Sequence, residues 1–357
     1  MNSPHDHHHP HDHHHPHDHH HPHDHHHPHE PVLDRRAVLR AGGLGLGAIL
    51  LAACTSARST TGASTAGSAP DGVAGTSPAT TIGALTTLPG FDRFATTVHT
   101  FVQGDYWLVE SDGMPAHNMM VGITSWQQQV PLPQPYTGAN AWRFPTSPVL
   151  SATPVSARTG LFRGAIAIAV DGVPIFNALN NRGDDAYLAG ELDQWGGHSG
   201  RADDYHYHVA PLHLEEAVGA GNPIAYALDG FAIYGSTEPD GSPLTALDEY
   251  NGHAGADGVY HYHGTTTYPY SNGGLRGVVT VSDQVDPQPT TRPVRPAGEP
   301  LQGGIVTAFD QPSPGTYELQ YSLSGGTGSV RYTVSDTSIH FTFTDPSGVV
   351  TKETYTR

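Results

Sequence analysis

Two pairs of histidines are the residues in this sequence best suited to chemistry. His206 and His208 stand in the tetrapeptide YHYH, and His261 and His263 stand in an identical tetrapeptide 55 positions later. Successive side chains of a strand point to opposite faces, so the histidines of each pair lie on one face, roughly 6–7 Å apart at Cα. Such a pair can chelate one transition metal ion. The alternative is a set of hydrogen-bonded histidines in an aromatic-rich strand.

The sequence around each pair is repeated as well. Residues 192–208 align with 247–263 without a gap, and the segments before them align at an offset of 58. This internal similarity predicts duplicated units at 166–208 and 224–263, each with a hairpin, a Gly-rich loop and a His-x-His strand. An Asp-Gly turn between short apolar runs indicates each hairpin. The duplication favours metal binding over the hydrogen-bonded alternative, and it leaves open whether the units share one site.

Three further histidines are candidate ligands. His198 and His253 precede the pairs by eight residues and lie in the Gly-rich loops, which can fold back far enough to supply a third ligand. His117 lies in a methionine-rich segment, and thioether with imidazole suits a soft ion such as Cu(I), although residue type favours a core-filling role for Met119 and Met120. Cys54 is the single cysteine, so a Cys-rich zinc site is excluded and the predicted metal is copper or zinc.

Three classes of function fit these residues. The first is a metal-binding lipoprotein. The second is a metalloenzyme of hydrolase or oxidase type, which needs an open coordination position and a base such as Asp203, Asp257 or Asp229. The third is a binding or structural β module without metal. With 34 acidic against 16 basic residues, the chain has no basic patch for phosphates, which argues against nucleic acid as a partner.

The N-terminal region carries signals for export. Residues 1–33 are a His-rich low-complexity extension, and residues 34–53 combine paired arginines with a short apolar run that ends in Leu-Ala-Ala before Cys54. This pattern resembles a twin-arginine signal followed by a bacterial lipobox. It predicts export by the twin-arginine pathway, lipidation of Cys54 and an extracytoplasmic protein anchored to the membrane. The histidine tract would then be removed with the signal.

The remaining chain must position the histidines. Residues 54–84 are rich in Ser, Thr, Ala and Gly and predict a tether, and residues 85–285 predict the domain that contains the duplication. Alternating apolar and polar residues over 300–357 predict antiparallel, half-buried strands. We therefore expect an all-β protein with an antiparallel, sandwich-like arrangement of sheets.

The two YHYH tetrapeptides also resemble a known family. Together with the segment 228–235 between them and Tyr268-Pro-Tyr270 after them, they are similar to the YHYH-domain proteins over roughly residues 100–280. The resemblance implies an exported bacterial protein and implies no particular activity. Both tetrapeptides are intact here, so a model with a single site is not carried over from the family.

Overall fold

The structure is a computed structural model that describes residues 88–285 and 288–357. The predicted extension, export signal, lipidation site and tether lie outside the described residues. No helix in the described part of the chain combines the length and apolar character needed to cross a membrane. The strands are β1 His99–Gln103, β2 Tyr106–Glu110, β3 Trp142–Pro145, β4 Leu150–Ser156, β5 Ala165–Ala169, β6 Pro174–Phe176, β7 Gly197–Ser199, β8 Tyr205–Tyr207, β9 Ala225–Ala227, β10 Ala232–Tyr234, β11 Gly252–Ala254, β12 Tyr260–His263, β13 Gly274–Gly277, β14 Ile305–Ser313, β15 Thr316–Leu323, β16 Gly326–Val334, β17 Ser338–Thr344 and β18 Val350–Thr356. One α-helix, α1, spans Leu214–Val218, and short turns of other helix types span Phe91–Phe94, Gly138–Asn140 and Val281–Val285.

The predicted all-β fold is confirmed. The strands form a three-stranded, an eight-stranded, a two-stranded and a five-stranded sheet. The five-stranded sheet is an antiparallel meander of β14 to β18, and its strands include the alternating segments expected near the C-terminus. Its inner face contributes Tyr332 and Phe341 to the buried core, where Tyr332 donates a hydrogen bond to the carbonyl of Pro131.

The eight-stranded sheet carries the duplication. Its strand order is β7-β8-β6-β5-β9-β10-β12-β11, which reads the same from both ends once each strand is matched with its copy. The pairings match too: β5 and β9 meet antiparallel at the centre, and β6–β8 and β10–β12 are both parallel. The central sheet is therefore mixed rather than purely antiparallel. The first repeat, 166–208, and the second, 224–263, place their His-x-His strands on opposite sides of the central pair.

The centre of this sheet is apolar on both faces. All five residues of β5 are buried, as are all three of β9. The turn after each strand is an Asp-Gly turn, with Gly172 at φ 84° and Gly230 at φ 93°. A Cβ on Gly172 would lie 2.6 Å from the Cβ of Ser111, so the turn requires glycine for space as well as for backbone conformation.

Each Asp-Gly turn is tied to the tyrosines of the His-x-His strand. The Tyr207 hydroxyl donates to Asp171 at 2.9 Å, and the Tyr262 hydroxyl donates to Asp229 at 2.6 Å. The tyrosines thus occupy the face of the strand opposite the histidines, as the alternation predicts. Burial raises the pKa of Asp171 to about 6, although hydrogen bonds from Tyr207 and Val173 oppose the shift.

The raised pKa of Asp171 predicts a pH-dependent stability. The folded-state pKa of Asp171 lies above the ordinary value. Its contribution to the free energy of unfolding is therefore present below about pH 4 and is lost as the pH rises through about 6. The loss amounts to about 3 kcal/mol at most. In metal-free protein, Asp171→Asn should flatten the fall in unfolding free energy between pH 4.5 and 7.5, measured by urea denaturation. An unchanged slope would contradict this assignment.

Candidate metal centres

Three histidines of the first repeat form a compact group, here called site A. It consists of His198, His206 and His208, whose ligand nitrogens lie within 4.8 Å of one another. The Nε2 atoms of His198 and His208 are 3.1 Å apart. His206 and His208 are 3% and 5% exposed. Three imidazole nitrogens that converge in a buried place form a set that a transition metal can bind.

The short hairpin of β7 and β8 positions site A. His198 lies directly across the antiparallel pair from His206, so it belongs to a strand rather than to a loop. The side chain of Asp193 closes the hairpin by accepting from the amide of Gly197 at 3.1 Å and from the Tyr205 hydroxyl at 2.8 Å. The third histidine, His208, directly follows β8, two residues after His206.

Backbone carbonyls fix the orientation of two of these rings. His206 Nδ1 lies 2.9 Å from the carbonyl oxygen of Asp204, and His208 Nδ1 lies 2.5 Å from that of Asn177. A carbonyl only accepts, so Nδ1 carries the proton and Nε2 presents its lone pair to the centre of the group. Burial, followed by the nearby His206, lowers the pKa of His208 to about 3. Burial also holds the pKa of His198 well below its usual value. Both rings are therefore neutral at pH 7, the form that binds metal.

The second repeat forms site B, which has a fourth candidate ligand. His253, His261 and His263 converge with Glu238, and their ligand atoms again lie within 4.8 Å of one another. Glu238 Oε2 is 3.2, 3.4 and 3.6 Å from the Nε2 atoms of His253, His261 and His263. His263 is fully buried, and its Nε2 has no hydrogen-bond partner among the residues that the structure describes. A buried nitrogen without a partner is costly unless an ion occupies the centre.

The rings of site B are oriented as in site A. His263 Nδ1 donates to the carbonyl of Gly235 at 3.0 Å, and His261 Nδ1 donates to the carbonyl of Val259 at 3.3 Å. His253 lies opposite His261 across β11 and β12, and its Nδ1 contacts the hydroxyl of Thr245 at 2.8 Å. The carbonyl contacts of His261 and His263 fix the tautomers of these two rings and direct Nε2 to the centre of the group.

The position of Glu238 has an exact counterpart in the first repeat. An isolated bridge joins Leu179 to Asp185 and another joins Thr237 to Pro243, at the same offset of 58. Asn180 is therefore the counterpart of Glu238 and donates to Glu191 at 3.2 Å instead of reaching the histidines. Site A thus has three candidate ligands and site B has four.

Sequence reasoning missed Glu238. The only signal was its alignment with Asn180, which appears once the offset of 58 is extended beyond the hairpin into the following loop. An isolated glutamate in a loop of the second repeat does not otherwise differ from a surface residue. The question of one shared site or two is answered by the sheet: the six histidines form two groups, one in each repeat.

The structure does not bring His117 to either site. It lies on the tyrosine face of β8, with Nε2 2.8 Å from the Tyr207 hydroxyl and its ring stacked on Trp195 at 4.7 Å. There it forms a third group with Asp171 and His213. The Nε2 atom of His213 is buried and has no hydrogen-bond partner in the part of the chain that the structure describes. His117 is therefore not brought beside the predicted histidine ligands, because strand alternation directs Tyr207 and His208 to opposite faces. The third group that it joins could itself hold a metal ion.

The three aspartates considered as bases have other contacts. Asp203 forms a buried ion pair with Arg295 at 2.7 Å. Asp229 accepts from Tyr262, as described above. Asp257 accepts from the amide of Val259 at 2.9 Å and lines the cavity beside site B. None of the three lines the cavity beside site A.

The first glycine of each hairpin is a sensitive position. A Cβ on Gly197 would lie 2.5 Å from the ring of Tyr205 and 2.8 Å from the carbonyl oxygen of His206, and Gly252 has equivalent contacts with Tyr260 and His261. Gly197→Ala should lower the free energy of unfolding by about 1–3 kcal/mol through overpacking. It should also lower the metal content of site A only, because the hairpin must shift. Urea denaturation and elemental analysis measure the two effects. An unchanged free energy of unfolding with unchanged metal content would contradict the predicted overpacking at Gly197.

Comparison with known proteins identifies one family. Neither the curated proteins nor the solved structures contain a match to the chain. Residues 141–246 match the family model described as YHYH protein. The matched segment contains site A and Glu238 but ends before the three histidines of site B. This segment of the chain, 106 of its 357 residues, is therefore similar to the YHYH proteins.

Proposed function

We propose that this protein binds two transition metal ions, one at site A and one at site B. The observation that carries the proposal is the presence of two groups of three histidines, each buried or half-buried and positioned by a hairpin of identical pairing. Inert core histidines need no common focus, whereas ligands must converge on one point. The repeated convergence supports metal binding over the structural alternative.

We propose copper or zinc as the ion. Imidazole suits both metals, and a site with several thiolates is excluded because Cys54 is the single cysteine of the chain. Site B, with three imidazoles and one carboxylate, matches the closed four-ligand set of zinc sites that serve structure or storage. A metal ion at site B would also tie β11 and β12 to the loop that carries Glu238.

A second candidate function is catalysis at site A. Its three protein ligands correspond to zinc centres that keep one position for water or substrate. A bound ion would supply Lewis acidity and lower the pKa of a coordinated water. Site A also borders a cavity of about 480 Å³. Its walls are partly polar and partly apolar, as is usual for pockets that bind small molecules.

Elemental analysis tests metal binding. The chain from Cys54 onward, with Cys54 replaced by serine, omits the N-terminal histidine tract and retains the compact unit of residues 79–357. Purified without nickel resin, it should contain two equivalents of zinc or copper after loading and dialysis. A chain that retains no metal would contradict the proposal and favour the structural β module.

We also propose that the protein is exported by the twin-arginine pathway and anchored outside the cytoplasm by a lipid on Cys54. The sequence around Cys54 supports this proposal. Cys54→Ser should move the exported protein from the membrane fraction to the soluble fraction, detected by immunoblotting. Deletion of residues 5–29 separately tests whether the histidine tract assists metal loading: unchanged metal content and export would contradict that role.

A further inference from the structure

The cavity beside site A carries an unusual charge. Three arginines line it together with the three histidines, and a single acid, Glu191, accompanies them. Arg182 is paired with Glu191 and Asp184. Arg163 and Arg201 are exposed and form no ion pair with any residue of the described ranges. Two guanidinium groups are therefore available to a ligand that enters this cavity.

The second repeat shows that these charges are specific to site A. At the two alignment offsets, Arg163 corresponds to Gly221, Arg182 to Asp240 and Arg201 to Ala256. The cavity beside site B is lined by Glu238, Asp240 and Asp257 and by no arginine. Together with the pair Asn180 and Glu238, every one of these differences makes site A more positive than site B. The duplicated sites thus have the same histidines and opposite surroundings.

The charge difference has a chemical consequence. Three neutral imidazoles leave the full charge on a divalent ion at site A, and the nearby guanidinium groups add to it. An anion is needed to balance this charge in a partly buried place, since water alone screens it poorly there. Arginine binds carboxylate and phosphate oxygens in a planar, bidentate manner. In site B the carboxylate of Glu238 already supplies the anion.

The walls of the cavity indicate what accompanies the anionic group. Phe176 stacks on the ring of His206 with centroids 3.8 Å apart, and Phe162 is 53% exposed at the same cavity. Trp126 and Ile123 also contribute to the lining. An apolar body beside these side chains gains binding energy that a bare inorganic anion does not.

We propose that site A is the binding site for an organic oxyanion, a carboxylate or phosphate ester with an apolar body, held by the metal ion and by Arg163 and Arg201. This inference rests on the proposed metal binding. The oxyanion occupies the fourth coordination position, which Glu238 fills in site B. Site B accordingly takes no such ligand.

Cobalt(II) absorption tests this proposal, because its visible spectrum reports the ligands of the ion. The chain from Cys54 onward is loaded with cobalt and titrated with benzoate, acetate, phenyl phosphate and inorganic phosphate. A saturable spectral change is expected, with benzoate or phenyl phosphate binding at least 5-fold more tightly than acetate or inorganic phosphate. The tighter of the two oxyanion types identifies the ligand class. Arg163→Gln with Arg201→Gln should weaken binding at least 10-fold, and Arg331→Gln, on the C-terminal sheet, should leave it unchanged.

Two outcomes separate the proposals. If no cobalt binds, both metal binding and oxyanion binding are wrong. If two cobalt ions bind but the absorption spectrum does not change when the anions are added, only the oxyanion proposal is wrong. The same holds if the double arginine variant binds the anions as tightly as the unchanged protein. The variant His206→Ala with His208→Ala should retain one cobalt ion and show no anion-dependent change. A persisting change in that variant would place the anion at site B and contradict the proposal.

Discussion

Replacing His206 and His208 together by alanine is expected to remove one of two metal ions per chain and to lower thermal stability at the same time. Both side chains belong to site A, and a metal that binds only the folded state stabilises it by about 4 kcal/mol at a thousandfold excess over Kd. For a domain of this size, that corresponds to a fall in Tm of about 8–16 °C. Elemental analysis and calorimetry on metal-loaded protein measure the two effects.

The repeats supply a matched comparison for this variant. His261→Ala with His263→Ala should remove the other ion and leave site A occupied, because the two groups lie in different repeats. His340→Ala is the control: this histidine is exposed on β17, contacts Ser338 and Thr354, and should affect neither metal content nor Tm appreciably. If either pair removes both ions, the sites are not independent. If neither pair lowers metal content or Tm, the histidines are inert core residues.

Glu238→Gln is expected to weaken metal binding at site B by about 10–100-fold while site A is unaffected. The carboxylate is the only charged ligand of the group, and its Oε2 faces all three histidines. Glutamine keeps the size and an acceptor oxygen for the amide of Thr245, which Glu238 Oε1 binds at 3.1 Å, but loses the negative charge. The estimate follows the usual cost of altering a group that sets the charge and orientation around a metal. Competition with a chelator of known affinity measures it.

Asp240→Asn is the matched neutralisation for this variant. Asp240 lines the same cavity two residues later, is exposed and accepts from Ser242 in its own turn, whose amide lies 2.9 Å away. It should change the affinity of site B by less than threefold. Equal losses in the two variants would mean that Glu238 acts through the general field of the acidic cavity rather than as a ligand.

Much of the histidine chemistry was determined by the sequence alone. Side chains two residues apart in a strand lie on the same face, so His206 shares a face with His208, and His261 with His263. This alternation is a local property of the backbone, and the sequence alone predicts it. The gapless repeat also placed His198 and His253 at equivalent positions, and the register of the hairpins brings each one opposite a histidine of the pair. The all-β fold followed from the same alternation and from the turn residues.

The tertiary structure decided how many sites exist and what completes each one. The sequence is equally consistent with one shared centre, and only the antiparallel contact of β5 with β9 separates the two histidine groups. His117 and Glu238 both show that the sequence alone does not predict which side chains reach a site. His117 has a ligand's chemistry but is brought to the tyrosine face. Glu238 follows β10, which is placed by its parallel pairing with the distant strand β12. Which side chains meet across a sheet depends on packing between distant segments, and no local pattern encodes that.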